Sequence, residues 1–158
     1  MSTTLTTSTT PPGTTTTATT PTSTTSTPVN TNTALPYADM TSHGFAFVGC
    51  APEERRASDG PGRVLNGALY AEDAMTNAKC MDYCAVRGFA YAGTEWSREC
   101  WCGNSYAPGR QPATTLASLA ACNYACSGAA SEKCGGDAWL SLYAACPAGG
   151  PCVNAVFS

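Results

Sequence analysis

The residues best placed to do chemistry lie in "ECWCGN" at 99–104, where Cys100 and Cys102 flank Trp101. Paired cysteines suit three chemistries: metal ligation, thiol–disulfide exchange and structural cross-linking. Zinc sites draw on C-x₂₋₄-C pairs, which Cys80-x₃-Cys84 approximates and Cys100-x-Cys102 does not. A thioredoxin-like redox pair needs C-x-x-C, a spacing the chain lacks. Cross-linking is the reading that the local patterns favour. "TNAKCMDYCAVRG" at 76–88 reads as a short helix, capped by Thr76 and closed by Gly88. Its Cys80 and Cys84 share one face, about 6 Å apart along the axis. "FAYAGTEW" (89–96) and "ECWCG" (99–103) read as strands of a hairpin, which sends Cys100 and Cys102 to one face, about 6.6 Å apart. A helix lying along that sheet therefore matches two disulfides side by side. With Ser97-Arg98 as a two-residue turn, Trp96 is expected opposite Glu99, Thr94 opposite Trp101, and Gly93 facing Cys102.

The wider composition agrees. All ten cysteines fall between Cys50 and Cys152, a density and an even count that point to a disulfide framework and an oxidising compartment. Net charge is −3 with no basic stripe, which argues against nucleic acid as a partner, and no apolar run is long enough for a membrane span. The start "MSTTLTTSTT" lacks the pattern of a signal peptide, so the chain is expected to be a piece of a longer secreted or cell-surface protein. Residues 1–42 are Thr-, Ser- and Pro-rich with Asp39 as the only charge, the composition of a disordered, O-glycosylated stalk or linker. The chain holds no N-x-[ST] sequon. A globular domain is expected over 43–146, followed by a tail at 147–158, with Cys146 and Cys152 closing a loop.

No catalytic constellation can be assembled. His43 is the single histidine and is placed at the margin of the linker, so no base is expected beside a nucleophile. Glu95 reads as a structural hydrogen-bonding residue and Glu99 as a hairpin charge. Asp137 after Gly135-Gly136 stands without the other acids a calcium loop needs. The expectation is no enzyme, no metal and no cofactor.

Aromatic residues carry the remaining signal, because sugar rings present apolar C–H faces that pack on indole and phenol rings. Tyr83, Tyr91 and Tyr143 are assigned to the core. Leu140 and Leu142 in "DAWLSLY" are expected to point inward, with Trp139 on the opposite face. The hairpin register places Trp96 and Trp101 together on the face away from the cysteines. If no second layer covers it, they form an exposed platform rimmed by Arg98, Glu99 and Asn104, with Tyr106 and Tyr124 as secondary candidates. The alternative is that the same rings pack beneath the 105–118 loop.

Taken together, Gly49-Cys50, "RVLNGALY", Cys80-x₃-Cys84, "FAYAGTEWSRECWCGN", Cys122-x₃-Cys126-x₇-Cys134 and "CGGDAWLSLY" resemble the WSC domain of fungal cell-wall stress sensors and secreted carbohydrate-active proteins. The likeness covers about 45–143. It implies a small disulfide-rich α+β fold of PAN/apple type, a short antiparallel sheet packed on a helix. It also implies the pairs Cys50–Cys122, Cys80–Cys100, Cys84–Cys102 and Cys126–Cys134; Cys146 and Cys152 lie outside these eight and are left to each other. Ser97 stands where the family often has glycine. The function implied is a non-catalytic module binding cell-wall polysaccharide, a β-glucan, at the cell surface or cell wall. The alternative is the head of a wall stress sensor that associates with itself or with another surface protein.

Overall fold

The computed structural model describes residues 35–54 and 62–157, together with Thr7, Thr9 and Gly13. Most of the expected stalk lies outside the described residues. Five antiparallel strands form one sheet in the order β1-β7-β3-β4-β2: β1 (Phe45–Pro52), β2 (Ala68–Ala71), β3 (Tyr91–Glu95), β4 (Glu99–Gly103) and β7 (Trp139–Ala145). Helix α1 (Asn77–Ala85) packs on one face. A short α2 (Leu116–Ala121) and a two-stranded ribbon of β5 (Ala125–Cys126) and β6 (Ala129–Lys133) complete this α+β domain.

Local chemistry sets α1. The Thr76 side chain accepts a hydrogen bond from Lys79 N–H, satisfying one of the orphan donors of the first turn. Gly88 ends the run with φ 74°, in the left-handed region that favours glycine. Between these caps, Cys80, Met81 and Cys84 are fully buried against the sheet. Cys80 bonds Cys100 and Cys84 bonds Cys102, so two adjacent bridges tie helix to hairpin. Cys50–Cys122, Cys126–Cys134 and Cys146–Cys152 complete five disulfides, the same pairs that the resemblance and the leftover cysteines imply.

The packed unit begins before residue 43. Tyr37 stacks on Phe47 with ring centroids 4.3 Å apart, and Met40 is buried, so this segment belongs to the core. His43 is likewise inside the domain, its Nδ1 lying 3.0 Å from a carboxylate oxygen of Asp82 on α1. The tail lies along the outer edge of β1. Ala155 N–H donates to Phe47 C=O, Phe47 N–H donates to Asn154 Oδ1, and Phe157 packs on Tyr37. Cys50 exchanges two backbone hydrogen bonds with Ala113 on the same edge. An otherwise unpaired strand edge is thereby covered.

Candidate carbohydrate-binding surface

The β3–β4 hairpin departs from the expected register by one residue. Its turn holds three residues, Trp96, Ser97 and Arg98, so Glu95 pairs with Glu99, Gly93 with Trp101, and Ala92 with Cys102. Trp96 (φ 51°) and Ser97 (φ 66°) both take left-handed backbone conformations. Long-range contacts hold the turn there. Ser97 N–H donates to Cys134 C=O, and Ser97 C=O accepts from both N–H and Oγ of Ser127. Gly93 consequently sits on the face opposite the cysteines, where a Cβ would meet Leu140 at 2.6 Å.

The expected two-tryptophan platform does not form. Trp101 does lie on the face away from the disulfides, but a second layer covers it. Val64 and Leu65, with Ala51, Leu140 and Leu142, make an apolar cluster around it, and Trp101 is only 7% exposed. Arg63 closes the ring face, its guanidinium carbon 4.2 Å from the centroid. The cover comes chiefly from residues 63–65, with Tyr106 at its margin, and not from the 105–118 loop as a whole.

Beneath this cover lies a buried acid–base cluster. Arg63 Nη1 donates to Glu53 Oε2 and to Glu95 Oε2, at 2.6 Å each. Glu53 also accepts from Val64 N–H, which fastens the covering segment to the end of β1. Burial, followed by the charge and hydrogen bonding of Glu53, pushes the Glu95 carboxyl up to about 9, against the opposing pull of Arg63. Burial and the neighbouring Glu53 therefore favour the protonated form of Glu95 in this cluster. Its role is to fix the cover over Trp101, in keeping with Glu95 as a structural hydrogen-bonding residue.

The other rim candidates are dispersed. Glu99 accepts from Trp101 Nε1–H at 3.1 Å, and Arg98 pairs with Asp73 at 2.9 Å. Asn104, at the far end of the hairpin, accepts from Ala90 N–H, and Tyr106 packs edge-on against Tyr91. Tyr143 is fully buried, whereas Tyr83 and Tyr91 are only half-buried. Leu140 and Leu142 point inward, and Trp139 is half-buried.

What the fold does bring together is Trp96 and Tyr124. Trp96 is 42% exposed at the tip of the turn, and its ring meets that of Tyr124 edge to face at 5.7 Å. Tyr124 is held by reciprocal backbone bonds, N–H to Gly135 C=O and C=O from Cys134 N–H. Gly135 (φ 67°) must be glycine, because a Cβ there would lie 2.3 Å from Thr94 C=O. Beside Tyr124, Asn123 and Lys133 border an apolar groove of about 300 Å³ floored by Pro36, Leu119, Ala120 and Cys122. The pair is thus a rigid aromatic corner on a cross-linked support, with an apolar wall to one side.

The model of the WSC domain family matches residues 47–136. A WSC domain-containing protein of Arthroderma benhamiae is 34% identical over 112 residues, covering 69% of this chain and 11% of that protein. A protein of Chaetomium globosum described as a putative fungistatic metabolite is 37% identical over 112 residues, 70% of this chain and 47% of its own length. Drosophila melanogaster xylosyltransferase oxt is 34% identical over 98 residues, 61% of this chain and 10% of that enzyme. The chain spans less than half the length of each of these relatives. The family match, the antiparallel sheet on a cysteine-bearing helix and the disulfide framework coincide, and the chain belongs to the WSC domain family.

Proposed function

We propose that this domain is a non-catalytic carbohydrate-binding module for cell-wall polysaccharide, a β-glucan, carried on a secreted or cell-surface protein. The observation behind it is the Trp96–Tyr124 corner, an exposed indole braced by a phenol on a disulfide-linked ribbon. Such a corner offers an apolar face for the C–H side of a sugar, and its rigidity keeps the ordering cost of binding low. The relatives support a portable module, since similar sequence occupies a small part of proteins with names as different as a WSC domain-containing protein and a xylosyltransferase. Five disulfides favour an extracellular setting. Weak binding to single chains would be amplified by multivalent display on a wall.

The test is retention of the oxidised protein on insoluble β-1,3-glucan, chitin, cellulose and xylan, beside a folded Trp96→Ala variant. Selective retention on β-1,3-glucan that falls in the variant is the expected result. Retention on no polymer, with concentration-dependent self-association instead, would move the function to a sensor head acting through protein contacts.

A further inference from the structure

Strand β2 closes the sheet on the side away from β1 and, among the described residues, pairs only with β4. Tyr70 pairs with Cys100, so its side chain projects on the α1 face, where it stacks on Tyr83 with centroids 4.8 Å apart and planes 21° apart. The guanidinium of Arg87 lies 3.6 Å from the Tyr83 centroid. One ring face cannot hold both neighbours, so Tyr83 is sandwiched and Tyr70 forms the outer layer of the stack. Two residues along the chain, the Glu72 carboxylate accepts from Lys79 Nζ at 2.6 Å. A half-buried tyrosine is therefore held in place by the ring behind it, with an acid and an amine at its margin.

Among the described residues the outer backbone edge beside it has no partner strand. Glu72 N–H donates to Arg98 C=O, which sets the alternation of the β2–β4 ladder. By that alternation the N–H and C=O groups of Leu69 and Ala71 face outward, and among the described residues nothing accepts from or donates to them. Both residues are exposed. This edge offers two donors and two acceptors, too few for a partner strand of ordinary length but matched to the hydroxyls of one or two sugar residues.

We infer that Tyr70 and the outward edge of β2 form a second sugar subsite, which stacks one pyranose on the phenol ring and bonds its hydroxyls through Leu69, Ala71 and the Glu72–Lys79 pair. The inference rests on the polysaccharide-binding reading and extends it to a second place on the surface. Its position suits one extended polymer. Glu72 meets the turn at Arg98, and Ser127 Oγ reaches both Glu72 C=O and Ser97 C=O. Tyr70 thus stands two strand residues, about 7 Å, back from the turn that carries Trp96. A ligand that reaches both Trp96 and Tyr70 is then an oligomer, and single sugars bind less well than longer chains.

The experiment measures retention of the full chain and its Tyr70→Ala, Tyr70→Phe and Trp96→Ala variants on insoluble β-1,3-glucan, with fold checked by near-ultraviolet circular dichroism. Tyr70→Ala is expected to weaken retention roughly three- to tenfold, the scale of one aromatic contact, and Tyr70→Phe to stay near wild type. Should Tyr70→Ala misfold, resonances of the Tyr70 ring in the wild-type chain, titrated with soluble β-1,3-glucan oligosaccharides, are expected to shift. Normal retention of a folded Tyr70→Ala, or an unmoved Tyr70 ring at saturation, overturns the subsite while the polysaccharide reading stands. A wild-type chain retained neither on β-1,3-glucan nor on the chitin, cellulose and xylan of the test above overturns both. Loss of self-association in Tyr70→Ala with glucan retention unchanged also overturns the subsite, and makes the edge a protein interface.

Discussion

The guanidinium of Arg63 covers the indole of Trp101 at 4.2 Å, and this contact separates the two tryptophans of the hairpin into different roles. Trp101 is a core residue under a charged lid, whereas Trp96, five positions earlier, stands exposed in the turn.

Stability should therefore distinguish them. Trp101→Ala removes a ring packed among Leu140, Leu142, Val64 and Leu65, and is expected to cost about 3–5 kcal/mol. Trp96→Ala should cost less, about 1 kcal/mol, since Trp96 is 42% exposed at the tip of the turn and the ring contact it loses is the edge contact with Tyr124. Denaturant melts of the two variants under oxidising conditions check the contrast. Similar losses for both would contradict the assignment of Trp101 to the core.

The second prediction concerns pH. Glu95 is 1% exposed and faces Glu53, Arg63 and Glu99, and its carboxyl is pushed from 4.5 up to about 9. The folded chain holds this proton more tightly than the unfolded chain does. Its contribution to stability is fully present below about pH 4.5 and is lost as pH rises toward 9. The slope from this one group is at most about 1.4 kcal/mol per pH unit. Glu95→Gln mimics the protonated form and has no proton to lose. Thermal melts from pH 5 to 9 should show the variant gaining on wild type as pH rises; a constant difference would mean that Glu95 is ionised in the fold.

Ser97 offers a gain in stability. Its φ of 66° lies where any side chain other than that of glycine is strained, and only its backbone atoms make hydrogen bonds in the turn. Ser97→Gly relieves strain of roughly 1–2 kcal/mol and gives back part of that through the freer unfolded chain. A net stabilisation of about 0.5–1 kcal/mol is expected. A loss on calorimetry would show that the serine side chain contributes something its bonding pattern does not reveal.

Much of the framework was legible in the residue order. Thr76 and Gly88 bound α1, the i, i+4 and i, i+2 spacings align two cysteine pairs, and the motif resemblance implies the partners that the structure joins. These features depend on neighbours a few residues apart, or on a pattern shared across a family. The early start of the core at Tyr37 was hidden because a lone aromatic in a Thr-rich segment carries no periodicity. Its burial depends on Phe47 and Phe157, far away in the chain.

The binding surface depended still more on distant contacts. Strand alternation correctly sends Trp101 away from the cysteines, but alternation cannot say whether the other face meets solvent. That was decided by the segment 63–65, docked through Arg63 to Glu53, just past the end of β1, and to Glu95 on β3. The hairpin register was likewise set from outside, by Cys134 and Ser127 holding a three-residue turn that local propensity alone makes costly. Local sequence thus determined which elements form and how the cysteines line up, because those follow from short-range geometry. Exposure of each aromatic ring was left to tertiary structure, because it depends on which remote segment arrives to cover it.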